Sequence, residues 1–264
     1  MAEPGAPRPA RYPGPAVRAA VMIMGVHGVL RLKPWIDPGT LEEDVFSLVV
    51  KRSTAYDWSS FGHGPTATRW GHNDAGGDWH QDGRVRELAW LQADVSGVQG
   101  HRLPVLPMAT VLSDTLTRVG DVTLTGLHTL LPLDEAPDAR HDLASIEPWY
   151  ALADPAAATP LTVSARTTSP IHPHILAIAA EDRASGRMTA EPSPPAPTGG
   201  LARPLAGGVH LAGLTHEHHF RCHAAEWSLD TATWTTEVFA EALRATGTTG
   251  PALLTVSPAH GTGG

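Results

Sequence analysis

One cysteine, Cys222, is all that 264 residues supply. No internal disulfide can form, a disulfide-stapled scaffold is excluded, and a reducing cytoplasm is the expected location. Lysine is nearly as scarce, with Lys33 and Lys51 the only two. Positive charge is in deficit overall: the formal net charge is −8, which leaves no basic stripe to neutralise phosphates and argues against a nucleic-acid partner. Long apolar runs are missing too. The best candidate, "RAAVMIMGVHGVL", is interrupted by His27 and followed by no small-residue cleavage pattern. It falls short of the roughly 20 residues that span a bilayer, so it reads as a buried strand and no membrane partner is expected. No Gly-x-Ser-x-Gly elbow, no Gly-x-Gly-x-x-Gly after a strand and no phosphate loop occurs; chemistry without a cofactor is the expectation.

What is present is the composition of a folded chain, with 42% hydrophobic and 17% charged residues. Arginine outnumbers lysine by 17 to 2, and alanine, glycine and proline are abundant, a bias that looks like that of a GC-rich actinobacterial genome. Residues 1–17 are rich in proline and read as a flexible arm. A Pro/Gly-rich loop is expected at 190–208. Residues 18–264 otherwise read as one α+β domain.

Within that domain strands and helices alternate. "VMIMGVHGVLRL", "VTLTGLHTLLPL" and "PALLTVSP" read as strands. "GTLEEDVFSLVVKRS" reads as a helix capped at Thr40 with Glu43 three residues on, and "DTATWTTEVFAEALRATG" as one capped at Asp230 and stopped at Gly247. A third helix is expected to start near Pro173. The phrase Gly-x-His recurs at Gly25–His27, Gly126–His128 and Gly208–His210. It points to two related halves, about 18–133 and 146–264. Tandem ferredoxin-like halves forming an α/β barrel or sandwich follow as the expected fold, with a double hot-dog as the alternative.

Parity along a strand sorts the densest histidine stretch, "LTHEHHFRCH". Leu214, His216, His218, Phe220 and Cys222 share one face, so His216 and His218 are the imidazoles expected to point inward; His210 extends that face. Thr215, Glu217, His219, Arg221 and His223 form a polar face, expected to be solvated. His27 and His128 also sit on apolar strands. His27, His128, His210, His216 and His218 are therefore the candidate lining of a substrate pocket. A His-x-His pair can also chelate zinc, so His216 and His218, joined by His172 or His174, are an alternative metal site. The stretch differs from the metallo-β-lactamase motif, since Phe220 and Arg221 stand where that motif needs Asp and His. Cys222 beside Phe220 reads as a small core hydrophobe rather than a nucleophile.

The segment "TRWGHNDAGGDWHQDGRVRELAWLQAD" carries the acid–base candidate. Read as a strand, its second half places Glu87 on one face with Val85, Ala89, Leu91, Ala93 and Val95, a single carboxyl among apolar residues. Desolvation disfavours the charged form there, which suits the group to giving and taking protons. Read as a helix, the same residues would leave Glu87 on a solvated face; the strand is preferred. His80 and Arg69, upstream, are the expected orienting groups.

Arg69, His80 and Glu87, in that order within one early segment, resemble the catalytic order of actinobacterial β-carboline-forming Pictet–Spenglerases. The resemblance covers about a tenth of the chain. It implies a biosynthetic cyclase of specialised metabolism that condenses an aryl-ethylamine with an aldehyde. Glu87 would protonate the carbinolamine on the way to the iminium and remove the aromatic proton after ring closure. A small-molecule substrate and a homodimer complete the expectation. The rivals are a metal-dependent enzyme built on His216 and His218, and a carrier that binds a metabolite without chemistry.

Overall fold

Apolar strands that are hydrophobic on both sides end up in the middle of a sheet, and amphipathic helices cover one of its faces. The computed structural model describes residues 20–37, 39–41, 43–60, 70–96, 102–136, 143, 152–154, 157–195, 201, 211 and 213–259; the arm at 1–17 lies outside them. The five strands expected from periodicity are β1 (Val21–Leu32), β4 (Arg86–Asp94), β5 (Gly120–Pro132), β8 (His216–Ala224) and β9 (Pro251–Pro258). To these the fold adds β2 (Ser59–Ser60), β3 (Gly71–Gly76), β6 (Thr159–Thr167) and β7 (Thr189–Ser193). The helices are α1 (Val45–Ala55), α2 (Val105–Val119), α3 (Pro173–Arg183) and α4 (Leu229–Ala245).

One sheet takes all nine strands in the order β2-β3-β4-β1-β5-β9-β6-β8-β7. Only the two-residue β2 pairs in parallel. From β1 to β5, the short β2 apart, the chain runs β-α-β-β-α-β and pairs as β3-β4-β1-β5, the ferredoxin-like arrangement. From β6 to β9 it repeats the plan and pairs as β7-β8-β6-β9. The two units join by antiparallel pairing of β5 with β9, from Leu127 opposite Val256 to Pro132 opposite Pro251. The fold is therefore an α+β sandwich of tandem ferredoxin-like halves. The sheet is not closed, since β5 and β9 pair in its interior and β2 and β7 form its two unpaired ends; the barrel form of the expectation gives way. So does the double hot-dog, because each half stacks two helices against the sheet instead of wrapping one.

A single core fills the space between sheet and helices. Met22, Met24 and Val26 of β1 share it with Met108 and Leu112 of α2, as do Val163 and Phe220 with Val238 and Phe239 of α4, the Phe220 and Phe239 rings lying 5.2 Å apart. The opposite face of the sheet carries a smaller apolar cluster, Ile23, Leu130, Leu214 and Leu253.

Local signals shift several boundaries. α1 starts at Val45, because the Asp44 carboxylate accepts the Ser47 N–H at 2.7 Å; the Thr40/Glu43 box is not used, and Glu43 pairs with Lys51 instead. α4 is capped by Ser228, whose Oγ accepts from Thr231 N at 3.1 Å, and Asp230 lies in its first turn. Gly247 ends that helix at φ +81° as expected. The loop expected at 190–208 begins as β7, an edge strand where Pro192 is tolerated; most of the remaining positions lie outside the described residues.

Candidate functional site

Two of the three Gly-x-His phrases meet each other. In the antiparallel pairing of β1 with β5, Gly25 stands opposite His128 and His27 opposite Gly126. Each glycine thus faces the other strand's histidine, and both imidazoles project from the side of the sheet away from the helices, the side of Ile23 and Leu130. His27 Nε2 and His128 Nδ1 are 2.7 Å apart, within hydrogen-bonding distance. Crosswise pairing explains the repeated phrase in β1 and β5. Both copies belong to the first half, so they are not a mark of duplication between halves; the third, which includes His210, lies outside the described residues.

Glu87 completes the cluster through a bulge. β4 keeps register with β1 as far as Val26 opposite Ala89, then slips so that His27 faces Glu87. Leu88 is displaced into the helix-side core with Ala89, Leu91 and Ala93. Glu87 is therefore on a strand, as preferred, and buried at 1% exposure. It is not on the face that strict alternation assigns it: the slip turns it to the side of His27 and His128. His128 Nε2 lies 3.3 Å from Glu87 Oε1. The three side chains form a line, carboxyl to imidazole to imidazole, with His27 at 1% and His128 at 4% exposure.

Gly25 makes the space. A methyl group there would fall 2.2 Å from Glu87 Oε1 and 2.3 Å from His128 Cε1, closer than atoms can approach. Gly126 plays a similar part for the cover of this face, since a methyl there would sit 2.1 Å from Leu201 Cδ2.

Burial sets the charge of the imidazoles. Desolvation holds His27 down at about 4, and desolvation together with the neighbouring His27 holds His128 at about 3. Both rings are neutral near pH 7, so the tautomer of one fixes the tautomer of the other. If Glu87 is ionised, His128 donates from Nε2 and accepts at Nδ1 from His27. If Glu87 carries a proton, it donates to Nε2, and His128 donates from Nδ1 to His27. From the protonated state the carboxyl proton can pass to His128 Nε2 while His128 Nδ1 gives its proton to His27 Nε2 and His27 Nδ1 releases one, which yields the ionised state with both imidazoles neutral before and after.

The same three residues offer a two-histidine, one-carboxylate donor set, with one ligand atom from each lying within 4.8 Å of the others. His128, however, turns opposite ring nitrogens to its two partners, which is the geometry of a relay rather than of donors converging on one ion. No other group of three such donors gathers among the described residues, so His216 and His218 have no third ligand there, from His172, His174 or elsewhere.

The remaining candidates are dispersed. His216 and His218 do share a face with Phe220 and Cys222, but that is the helix side, opposite to the cluster. β8 is also three strands from β5, about 14 Å at normal strand spacing. The single pocket expected to join them with His27 and His128 is not formed. His80 lies on the loop before β4 with its side chain 78% exposed, and Nδ1 is 2.5 Å from Asp78 Oδ1. That loop approaches Glu87 through its backbone, where Asp78 N donates to Glu87 O at 3.0 Å; His80 itself is not part of the cluster. Arg69 lies outside the described residues. Cys222 is fully buried, and burial pushes its thiol up to about 12, which makes it a core residue and not a nucleophile. The polar face of β8 lies on the same side of the sheet as the cluster, with His128, Thr255, Ser164 and His219 in one cross-strand row. Among the described residues no helix is long and apolar enough to cross a membrane. Comparison with protein-family models, curated proteins and solved structures finds no match for the chain.

Proposed function

We propose that the protein is a cofactor-independent acid–base catalyst acting on a small organic molecule, a cyclase of specialised metabolism whose proton-transfer group is Glu87. The observation that carries this reading is the buried line Glu87–His128–His27, in which two neutral imidazoles stand behind one carboxyl. Such a line lets a carboxyl give a proton at one step and recover it at another, as general acid–base catalysis requires. Condensation of an aryl-ethylamine with an aldehyde makes both demands. Water must leave a protonated carbinolamine to give the iminium, and the ring carbon must lose its proton after the new carbon–carbon bond forms. Glu87 would serve each in turn, with His128 and His27 carrying the proton away and back. Arg69 keeps the orienting role expected of it, whereas His80, exposed and outside the cluster, is given none.

The test is turnover of aryl-ethylamine and aldehyde pairs, read by mass as the adduct less one water. Glu87→Gln is expected to lower turnover by about 10²–10⁴-fold, the usual worth of a positioned acid or base, with circular dichroism unchanged. Full turnover by that variant would remove the assignment. Activity lost to a chelator and restored by a stoichiometric transition metal would favour the metal-dependent rival. Tight binding of the amine with no product, unchanged in Glu87→Gln, would favour a carrier.

A further inference from the structure

The chain's only two lysines, Lys33 and Lys51, reach the same place. A groove of about 590 Å³ runs between α1 and α2, and Arg52 and Arg118 line it with them. Three separate elements contribute: the end of β1, the last turns of α1 and the last turn of α2. Against a net charge of −8 for the whole chain, four cationic side chains and a single carboxylate, Asp114, border this groove.

The local pairing shows how much of that charge is spent. Asp114 is taken up within the wall, accepting from Arg52 Nε at 2.7 Å and from the Tyr56 hydroxyl at 2.7 Å. Lys51 pairs with Glu43 outside the groove. Lys33 Nζ donates to the carbonyls of Thr117 at 2.8 Å and Arg118 at 2.9 Å. It thereby cancels the negative end of the α2 dipole, which would otherwise repel an anion. An ammonium has three N–H groups, so one remains for a ligand. The Arg118 guanidinium is exposed and has no ion-pair partner among the described residues. Four cations less the carboxylates of Asp114 and Glu43 leave two positive charges. Leu48 and Ala55 add apolar wall beside them.

We infer that this groove binds a phosphate monoester of a small organic molecule, its phosphate held by Lys33 and Arg118 and its carbon skeleton laid over Leu48 and Ala55. A phosphate monoester carries close to two negative charges at neutral pH, which matches the local excess. Guanidinium and ammonium groups are the usual donors to its oxygens. The volume falls within the range of small-ligand sites. The groove lies on the helix side of the sheet and the Glu87 cluster on the other, so this site stands or falls independently of the acid–base reading.

Calorimetric titration of the full chain tests it, with phenyl phosphate, inorganic phosphate, benzoate and a poly-glutamate peptide as probes. One phenyl phosphate per chain is expected to bind, weakening as salt rises, and at least about tenfold more tightly than benzoate or inorganic phosphate, a 1.4 kcal/mol preference. Arg118→Glu should weaken phenyl phosphate by at least about tenfold with the thermal transition unmoved, and Lys51→Gln should weaken it less. The inference is overturned if phenyl phosphate does not saturate, if both variants bind it as the wild type does, or if inorganic phosphate or poly-glutamate binds equally well.

Discussion

A methyl group is the smallest change that the cluster would register. Gly25→Ala puts a carbon 2.2 Å from Glu87 Oε1 and 2.3 Å from His128 Cε1, so the carboxyl or the ring must leave the line. The expected result is a loss of about 1–3 kcal/mol of stability, the range for overpacking a filled interior, together with loss of turnover, read by urea unfolding and the amine–aldehyde assay. Full activity would mean that the line is not needed. The imidazoles themselves make stability depend on pH. Unfolded, each histidine titrates near 6.5; folded, His27 is held at about 4 and His128 at about 3. A folded value below the unfolded one means that the stabilisation is complete above pH 6.5. It is lost as pH falls towards the folded values, because the unfolded chain then binds protons that the folded chain refuses. Each ring is expected to cost about 2 kcal/mol between pH 7 and pH 5, and His27→Asn, which cannot titrate, should flatten the curve. A curve as steep in that variant as in the wild type would show that other groups control the acid limit.

Strands make faces by alternation, and the candidate site departs from alternation at two places. One is the slip after Val26 that turns Glu87 towards His27; the other is the slip after His27 that sets Gly28 opposite Leu124. β1 is legible because both of its faces are apolar, and β4 because apolar residues recur at alternate positions from Val85 to Val95. A bulge adds one residue without changing composition, so reading along β4 puts Glu87 with Ala89 and Leu91. The carboxyl was legible as buried, but its side of the sheet was not. The meeting of His27 with His128 had a better signal, since Gly-x-His on two antiparallel strands places each glycine under the other's ring. His216 and His218 were assigned correctly to the face of Phe220. What the sequence lacked was any sign that this face looks towards helices while His27 looks away from them. Helix α2 was missed altogether, with Pro104 and Pro107 standing where a breaker is normally read; Pro104 is its N-cap and Pro107 lies in its first turn, where no backbone donor is required.

At the scale of the molecule, the recurring Gly-x-His phrase suggested tandem ferredoxin-like halves, but that phrase reflects pairing of β1 with β5 inside the first half. The halves are instead two βαββαβ runs that include elements periodicity did not find. Whether they stand apart or fuse depends on an edge. β5 and β9 each end their own unit as an outer strand, and either edge left bare would invite association with another chain. Pairing them to each other, with Leu130 opposite Leu253 and Leu127 opposite Val256, covers both. The core passes over the same seam, because Leu112 of α2 belongs to one continuous cluster with Val238 and Phe239 of α4. A boundary crossed by a strand pairing of six residue pairs and by the main core is not a hinge between independent domains. Unfolding is therefore expected to be a single transition. Far-ultraviolet dichroism reports both halves, whereas fluorescence from Trp58, Trp70, Trp79 and Trp90 reports the first and that from Trp234 the second, Trp227 being bonded across to Leu124 of β5. Coincident urea midpoints from chains that keep only one of these tryptophan sets would establish one cooperative unit. Two midpoints separated beyond error would mean that each half folds alone and that the β5–β9 seam forms afterwards.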